Sequence, residues 1–251
     1  FCRTNLFKRL ESGGPAFIQS IERHVLRNFI VLPAIGKGLE IPLGTQEAEY
    51  LDARIDDEDT DAAIPGIFDE DEEEGGSSTG GPSSPIRTEA DFRRRAAEVY
   101  GEYSRQFRSR FKWLRPVLFV KQLAQDLEDD AKALLGVLAA CGDWDPKGDA
   151  KLSALVDLIT QRHSGEKVLV FTQFADTVRY MAAELKSRGI GALEGVTGDS
   201  PDPTGLAWRF SPESNDKKYD RSEQLRVVIA TDVLSEGQNL QDCFIIVNYD
   251  L

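Results

Sequence analysis

The chain has 251 residues, of which 41% are hydrophobic and 29% are charged, and its formal net charge is -13 at pH 7. It contains no run of about 18 uncharged apolar residues, which excludes a transmembrane helix on sequence grounds. Its first residues also lack a signal-peptide pattern. We therefore expect a soluble intracellular protein with no membrane partner.

Cysteine and histidine usage excludes further classes of site. Cys2, Cys141 and Cys243 are widely separated and form no C-x-x-C pair, which excludes a disulfide framework and a zinc ribbon. With only two histidines, we expect no metal site. The chain starts at Phe1 and stops at Leu251 directly after an apolar run, so we expect a piece of a longer gene product.

Residues 1–51 are predicted to be a helical segment. Between Leu6 and Leu32, apolar residues recur every four positions, as along one helix face. Pro33 and Gly36 predict the end of this helix. The recurring residues are Phe17, Ile21, Val25 and Phe29.

The negative charge is concentrated in the next segment. Residues 52–74 contain 12 acids and one base, and the rest of the chain has 29 basic and 31 acidic residues. Acids, glycine, serine and proline dominate up to residue 88, and such a composition cannot bury enough apolar surface to offset the entropy of ordering. We expect residues 52–88 to be a disordered acidic insert.

Residues 89–148 are predicted to be a second helical segment. The pattern indicates helices from Asp91 to about Phe119 and from Val120 to Leu138, with a kink or break at Pro116. Nine bases and four acids are interleaved with aromatic residues between Arg87 and Arg115. The composition favours a solvated helix face with core aromatics over a nucleic-acid track, and both interpretations stay open.

Residues 149–251 show the pattern of a doubly wound α/β domain. A predicted helix over Lys151–His163 is followed by short apolar strands that alternate with a helix. The strand Lys167–Phe171 has no polar face for solvent, as expected in a parallel sheet that is covered on both sides. The predicted elements are strands at Lys167–Phe171, Ala192–Thr197, Leu225–Ala230 and Cys243–Asn248, and a helix at Ala175–Arg188.

Each predicted strand ends in polar residues. Ligands of such sheets bind at the carboxyl ends of the strands, so these residues form a candidate binding edge. They are Thr172-Gln173-Phe174, Thr197-Gly198-Asp199, Thr231-Asp232-Val233 and Asn248-Tyr249-Asp250.

Two of these strands with their following loops carry a family resemblance. Lys167–Phe174 and Val227–Gln241, in this order, resemble motifs IV and V of the C-terminal RecA-like lobe of superfamily-two helicases. Within that superfamily they look most like Swi/Snf-type double-stranded-DNA translocases, including the bacterial RapA-like branch. Leu6–Ser12 is similar to the helical segment between the two lobes in such bacterial proteins, and Arg209–Asn215 to their helix-to-strand connection. The implied fold is α/β, an incomplete RecA-like parallel sheet with flanking helices, preceded by a helical region with the disordered acidic insert.

The resemblance implies a motor that binds ATP and Mg²⁺ between two lobes and moves along double-stranded DNA or a nucleoprotein complex. Its other lobe, an N-terminal RecA-like lobe in the same polypeptide, would hold most of the ATP and Mg²⁺. It implies a cytoplasmic protein, prokaryotic in type and nucleoid-associated when bound to DNA. The implied nucleic-acid residues are Thr172, Gln173, Phe174, Thr197, Gly198, Thr231 and Asp232, and the implied nucleotide-binding or coupling residues are Glu236, Gly237 and Asn239.

Other family features are missing or altered. The chain has no G-x-x-x-x-G-K-[ST] loop, and Asp69–Glu72 is not the acidic Mg²⁺ motif because it lacks a preceding strand. The family's arginine-rich motif, which supplies the arginine finger, is expected after Leu251. We therefore expect no catalytic residue and no ATP hydrolysis in this chain by itself. The alternative is a non-catalytic, degenerate helicase lobe that serves as a protein- or nucleic-acid-binding module.

Overall fold

The computed structural model describes residues 2–45, 88–106, 108–198, 200–234 and 237–250. Two compact units are present, one formed by Phe1–Ile18 with Asp143–Leu251 and the other by Gln19–Gly142. We call them the sheet unit and the helical unit. None of the helices in the described ranges is long and apolar enough to cross a bilayer. The acidic insert predicted for residues 52–88 lies outside the described residues, except for Thr88 at its end.

The sheet unit is built on a four-stranded parallel sheet. Its strands are β3 (Val168–Phe171), β4 (Leu193–Val196), β5 (Val227–Ala230) and β6 (Ile245–Asn248), hydrogen-bonded in the order β4-β5-β3-β6. All four were predicted within two residues at each end, and the predicted α/β class is confirmed.

Alternate residues of these strands pack on opposite faces of the sheet. On one face, Val170 and Ile229 join a core with α5 (Ala150–Asp157) and α6 (Ala175–Ser187). On the other, Leu169 and Val228 pack with Phe210 of α7 (Pro203–Phe210). Since helices cover both faces at β3 and β5, these two strands need no polar side chain, which explains their uninterrupted apolar sequences.

Two local features of the sheet unit differ from the sequence prediction. α7 lies between the predicted strands Ala192–Thr197 and Leu225–Ala230, where no helix was predicted, and Asp202 caps it by accepting a hydrogen bond from the Gly205 N–H at 2.8 Å. The helix predicted for Lys151–His163 is α5 followed by a π-helical turn, Leu158–Arg162.

The first helical segment is two helices, α1 (Cys2–Ser12) and α2 (Gly14–Lys37). Of the two predicted stops, Pro33 was wrong because it lies inside α2, whereas Gly36 is one residue before the end of α2 at Lys37. Burial of Ile30 and Ala34 on either side of Pro33 offsets the lost backbone hydrogen bond. Gly38 directly follows the end of α2, and its left-handed φ of 67° lets the Leu39 N–H donate to the Ala34 carbonyl at 2.8 Å.

The helical unit contains an antiparallel strand pair that was not predicted. β1 (Ile41–Thr45) pairs with β2 (Phe111–Leu114), so the helix predicted from Asp91 to Phe119 was too long and is α3 (Glu89–Arg105). Aromatic residues alternate in β2, and its partner is about 70 residues away, beyond the reach of local periodicity. The next helix, predicted over Val120–Leu138, is α4 (Leu123–Cys141).

The basic and aromatic stretch follows the interpretation of a solvated face with core aromatics. Four of its arginines form ion pairs with acids: Arg93 with Glu89 and Glu128, Arg94 with Asp91, Arg95 with Glu98, and Arg108 with Glu40. Phe92, Tyr103 and Phe111 are buried in the core.

Phenylalanine at two positions provides a test of the described sheet unit. Phe210 is 0% exposed in the core, whereas Phe244 is 89% exposed. We expect Phe210→Ala to lower the free energy of unfolding by about 3–5 kcal/mol, and Phe244→Ala by less than about 0.5 kcal/mol. Urea denaturation followed by circular dichroism measures both, and equal losses would contradict this packing.

Candidate nucleic-acid interface at the carboxyl edge of the sheet

The strand register places three of the predicted site residues in one row. Phe171, Ala230 and Val196 are aligned across neighbouring strands, so the residues that follow them are also adjacent. These are Thr172, Thr231 and Thr197, which are 4%, 8% and 7% exposed. The register therefore places the three threonines side by side at one edge of the sheet, in a row that lies beneath the surface.

The backbone N–H groups of this row are already used inside the protein. The Thr172 N–H donates to the Ala230 carbonyl at 3.0 Å, and the Thr231 N–H to the Val196 carbonyl at 3.1 Å. The Thr197 N–H donates to the Ser200 hydroxyl at 2.9 Å. None of these three N–H groups is therefore available to a phosphate.

Three predicted site residues are exposed above the row. They are Gln173, Gly198 and Asp232, each in the loop that follows a different strand. Since the strands are parallel neighbours, all three loops lie along the same edge. Within the predicted nucleic-acid set, these residues are the ones that a polymer backbone can reach directly.

Phe174 has a packing role. Its ring is buried, and the Arg9 guanidinium carbon lies 4.6 Å from the ring centroid. Phe174 is also the N-cap residue directly before α6, and it makes no side-chain capping bond. The ring therefore stabilises the end of the loop and is covered against stacking on a base.

Asp250 is a residue at this edge whose contacts the sequence did not reveal. The Thr172 hydroxyl donates to Asp250 Oδ2 at 2.6 Å, and the Gln173 N–H donates to the same oxygen. The only sequence signal was the polar end of the fourth strand. Asp250 thus holds the loop Thr172–Phe174, which we call the β3 loop, from the end of the neighbouring strand β6. Its carboxylate accepts from the two donors that an external anion would otherwise use.

The predicted nucleotide-binding residues lie in the loop after β5. Glu236 lies outside the described residues. Gly237 is exposed, its φ of 73° is left-handed, and nothing lies within 4 Å of where a Cβ would be, so its backbone is open to approach. Asn239 instead donates from Nδ2 to the Ser214 carbonyl at 2.6 Å. Its side chain is used to fasten the loop to a neighbouring turn.

Asp242 completes this attachment. Its carboxylate accepts from the N–H groups of Glu213 and Ser214, both at 2.9 Å, and lies 3.8 Å from Lys167 Nζ. Burial alone would raise the pKa of Asp242, but the hydrogen bonds from Ser214 and Glu213 and the charge of Lys167 hold it below its ordinary value.

No group of three or more histidine, cysteine or acidic residues within the described ranges could hold a metal ion.

The lowered pKa of Asp242 predicts how stability depends on pH. Because the folded-state pKa lies below the unfolded value, the carboxylate stabilises the fold fully above about pH 4. This contribution is lost as the pH falls through the lowered folded-state pKa. We expect Asp242→Asn to be less stable than the unchanged chain at pH 7, with the gap narrowing below pH 4. Urea titrations across pH measure the gap, and a constant gap would contradict the assignment.

With this geometry established, comparison with known families is informative. Residues 150–251 match the family model described as helicase conserved C-terminal domain. A search of curated proteins found no match for the chain. The matched range contains the whole parallel sheet and every loop at its carboxyl edge, and it leaves α1 and the helical unit outside. Together the family match and the sheet support a superfamily-two helicase C-terminal lobe, a nucleic-acid-binding motor lobe in type, over residues 150–251.

Proposed function

We propose that this chain contributes the second motor lobe of an ATP-dependent DNA translocase of Swi/Snf type, which remodels nucleoprotein complexes. The observation that carries the proposal is the helicase C-terminal match over the sheet, combined with three exposed loops along one edge of it. Remodelling and the Swi/Snf type rest on the resemblance of Lys167–Phe174 and Val227–Gln241 to the family motifs.

The exposed groups at this edge suit contact with a nucleic-acid backbone. Gln173 offers a side-chain amide, and Gly198 offers a backbone with no Cβ in the way. Neutral groups of this kind bind phosphate or sugar without distinguishing bases, which a translocase requires because it must accept every sequence it crosses. Thr172, Thr197 and Thr231 support the loops from below.

ATP and Mg²⁺ are assigned mainly to the N-terminal RecA-like lobe of the same polypeptide. On this chain, the backbone at Gly237 is open to a nucleotide, whereas the Asn239 amide is held by Ser214 and acts by shaping the loop. When bound, Mg-ATP supplies the phosphoryl-transfer chemistry of the motor. The chain by itself has no P-loop sequence and is expected to show no turnover.

A non-catalytic binding module is the second candidate. One observation favours it: the Asp250 carboxylate already accepts the hydrogen bonds of the Thr172 hydroxyl and the Gln173 N–H. Under this alternative the lobe binds nucleic acid or protein through its loops, and no nucleotide turnover depends on it.

Charge reversal at the edge tests nucleic-acid binding. We expect Asp232→Lys to tighten binding of the chain to duplex DNA by roughly fivefold and to steepen the slope of log Kd against log salt by about one. Glu166→Lys is the matched control, because Glu166 is exposed and precedes β3 at the opposite edge of the sheet. Fluorescence anisotropy of a labelled duplex measures both variants. Equal effects of the two variants would show that the affinity for DNA depends on the net charge of the chain and not on this edge of the sheet.

Turnover distinguishes the motor from the binding module. In the polypeptide that contains both lobes, we expect duplex DNA to stimulate ATP hydrolysis, and Asp232→Ala to reduce the stimulated kcat at least tenfold, about 1.4 kcal/mol of barrier. Glu166→Ala is the control and should leave the rate unchanged. Absence of DNA-stimulated turnover in the two-lobe polypeptide, measured by phosphate release, would reject the motor and leave the binding module.

A further inference from the structure

The last turn of α1 lies against the β3 loop, within the sheet unit. Arg9 and Ser12 are buried there, although α1 lies outside the range matched by the helicase family. Lys151 Nζ donates to the carbonyls of Glu11 and Ser12 at 2.8 and 3.4 Å, which holds the end of the helix in place. α1 is therefore attached at its carboxyl end, close to the residues predicted to contact nucleic acid.

Arg9 contacts both the end of the loop and the start of α6. Its Nη1 lies 3.1 Å from Asp176 Oδ2, and the two side chains are 9% and 6% exposed. The same guanidinium covers the ring of Phe174. A buried charge pair of this kind is sensitive to the loss of one partner, because the other charge stays buried. Movement of Phe174 and the start of α6 would therefore disturb the ion pair with Asp176 and the contact with the Phe174 ring.

Ser12 links the two ends of the loop through hydroxyl groups. Its Oγ lies 2.7 Å from the Thr177 hydroxyl and 3.4 Å from the Thr172 hydroxyl. Since Thr172 donates its proton to Asp250, it must accept from Ser12, and Ser12 in turn accepts from Thr177. Each hydroxyl proton is then used once, in a relay from the first turn of α6, through α1 and the β3 loop, to Asp250.

These contacts enclose a short loop whose middle residue is exposed. Thr172 and Phe174 are buried and held from α1, while Gln173 between them reaches the surface and its N–H is bound by Asp250. The backbone at Gln173 is therefore held from α1 on one side, through Thr172 and Phe174, and by Asp250 on the other. Neither Arg9 nor Ser12 is exposed enough to contact a polymer itself.

We propose that Arg9 and Ser12 are positioning residues for nucleic-acid binding: the end of α1 sets the conformation in which Gln173 meets the backbone of the nucleic acid. This inference rests on the proposed function, because it takes Gln173 as a contact residue. It gives α1, which lies outside residues 150–251, a role in nucleic-acid binding by the lobe.

Ser12→Ala is the mildest test, because it removes one hydroxyl and leaves the helix and the ion pair in place. We expect amide hydrogen exchange of residues 173–178 to quicken about fivefold, and binding of the 251-residue chain to duplex DNA to weaken by about the same factor. Ser187→Ala on α6 is the control, because Ser187 is exposed and bonds only within its own helix. It should change neither measurement.

A double-mutant cycle with Gln173 separates positioning from general stability. If Ser12 acts through Gln173, then Gln173→Ala weakens DNA binding and adding Ser12→Ala weakens it no further. Additive effects, or unchanged DNA binding by Ser12→Ala, would overturn the positioning role. If the chain without substitutions fails to bind DNA, the proposed function is rejected. If it binds DNA and the effects of Ser12→Ala and Gln173→Ala are additive, only the positioning role is rejected.

Arg9 provides an independent pair of variants. We expect Arg9→Met to weaken DNA binding more than Ser12→Ala, and Arg9→Lys to restore part of the loss because it keeps the charge facing Asp176. Lys8→Met is the control for charge, since Lys8 is the neighbouring exposed cation on α1. Equal weakening by Lys8→Met and Arg9→Met would show that only net charge matters and would overturn the role of Arg9.

Discussion

The parallel register of β3 with its two neighbours is the constraint on which the rest of the sheet unit depends. Val168 to Phe171 pair residue by residue with β5 on one side and β6 on the other. A slip of one residue would exchange the two faces of the strand, and both faces carry helices. The register is therefore held by packing on both sides, and it aligns the strand ends so that successive loops emerge along a single edge.

This edge has a buried row and an exposed layer above it. The buried row is formed by Thr172, Thr197 and Thr231, whose backbone N–H groups are used by the sheet and its loops and so fix the positions of the strand ends. Groups that must hold a fixed position are more precise when a rigid scaffold carries them. The loop after β5 shows the same division, because Asn239 and Asp242 fasten it to a neighbouring turn while Gly237 stays open.

The β3 loop is held by residues that are far away in the chain. Ser12 precedes Thr172 by 160 residues, and Asp250 follows it by 78. Together they connect the amino-terminal helix, the central strand and the final strand of the sheet through hydroxyl and carboxylate groups. A polar connection of this type specifies one geometry, since each hydroxyl has one proton to donate.

The sequence by itself determined the strands, the class of fold and the family resemblance, because short apolar runs and motif spacing are local properties. It also placed Thr172, Thr197 and Thr231 correctly at strand ends. Only the tertiary structure decided which of these residues are buried, that β1 pairs with β2, and that α2 continues through Pro33. It alone brought Arg9 and Asp250 to the β3 loop. The physical reason is that periodicity reports which residues share the apolar face of a helix or strand, whereas the burial and the partner of a given residue are decided by packing between segments that are distant in the chain.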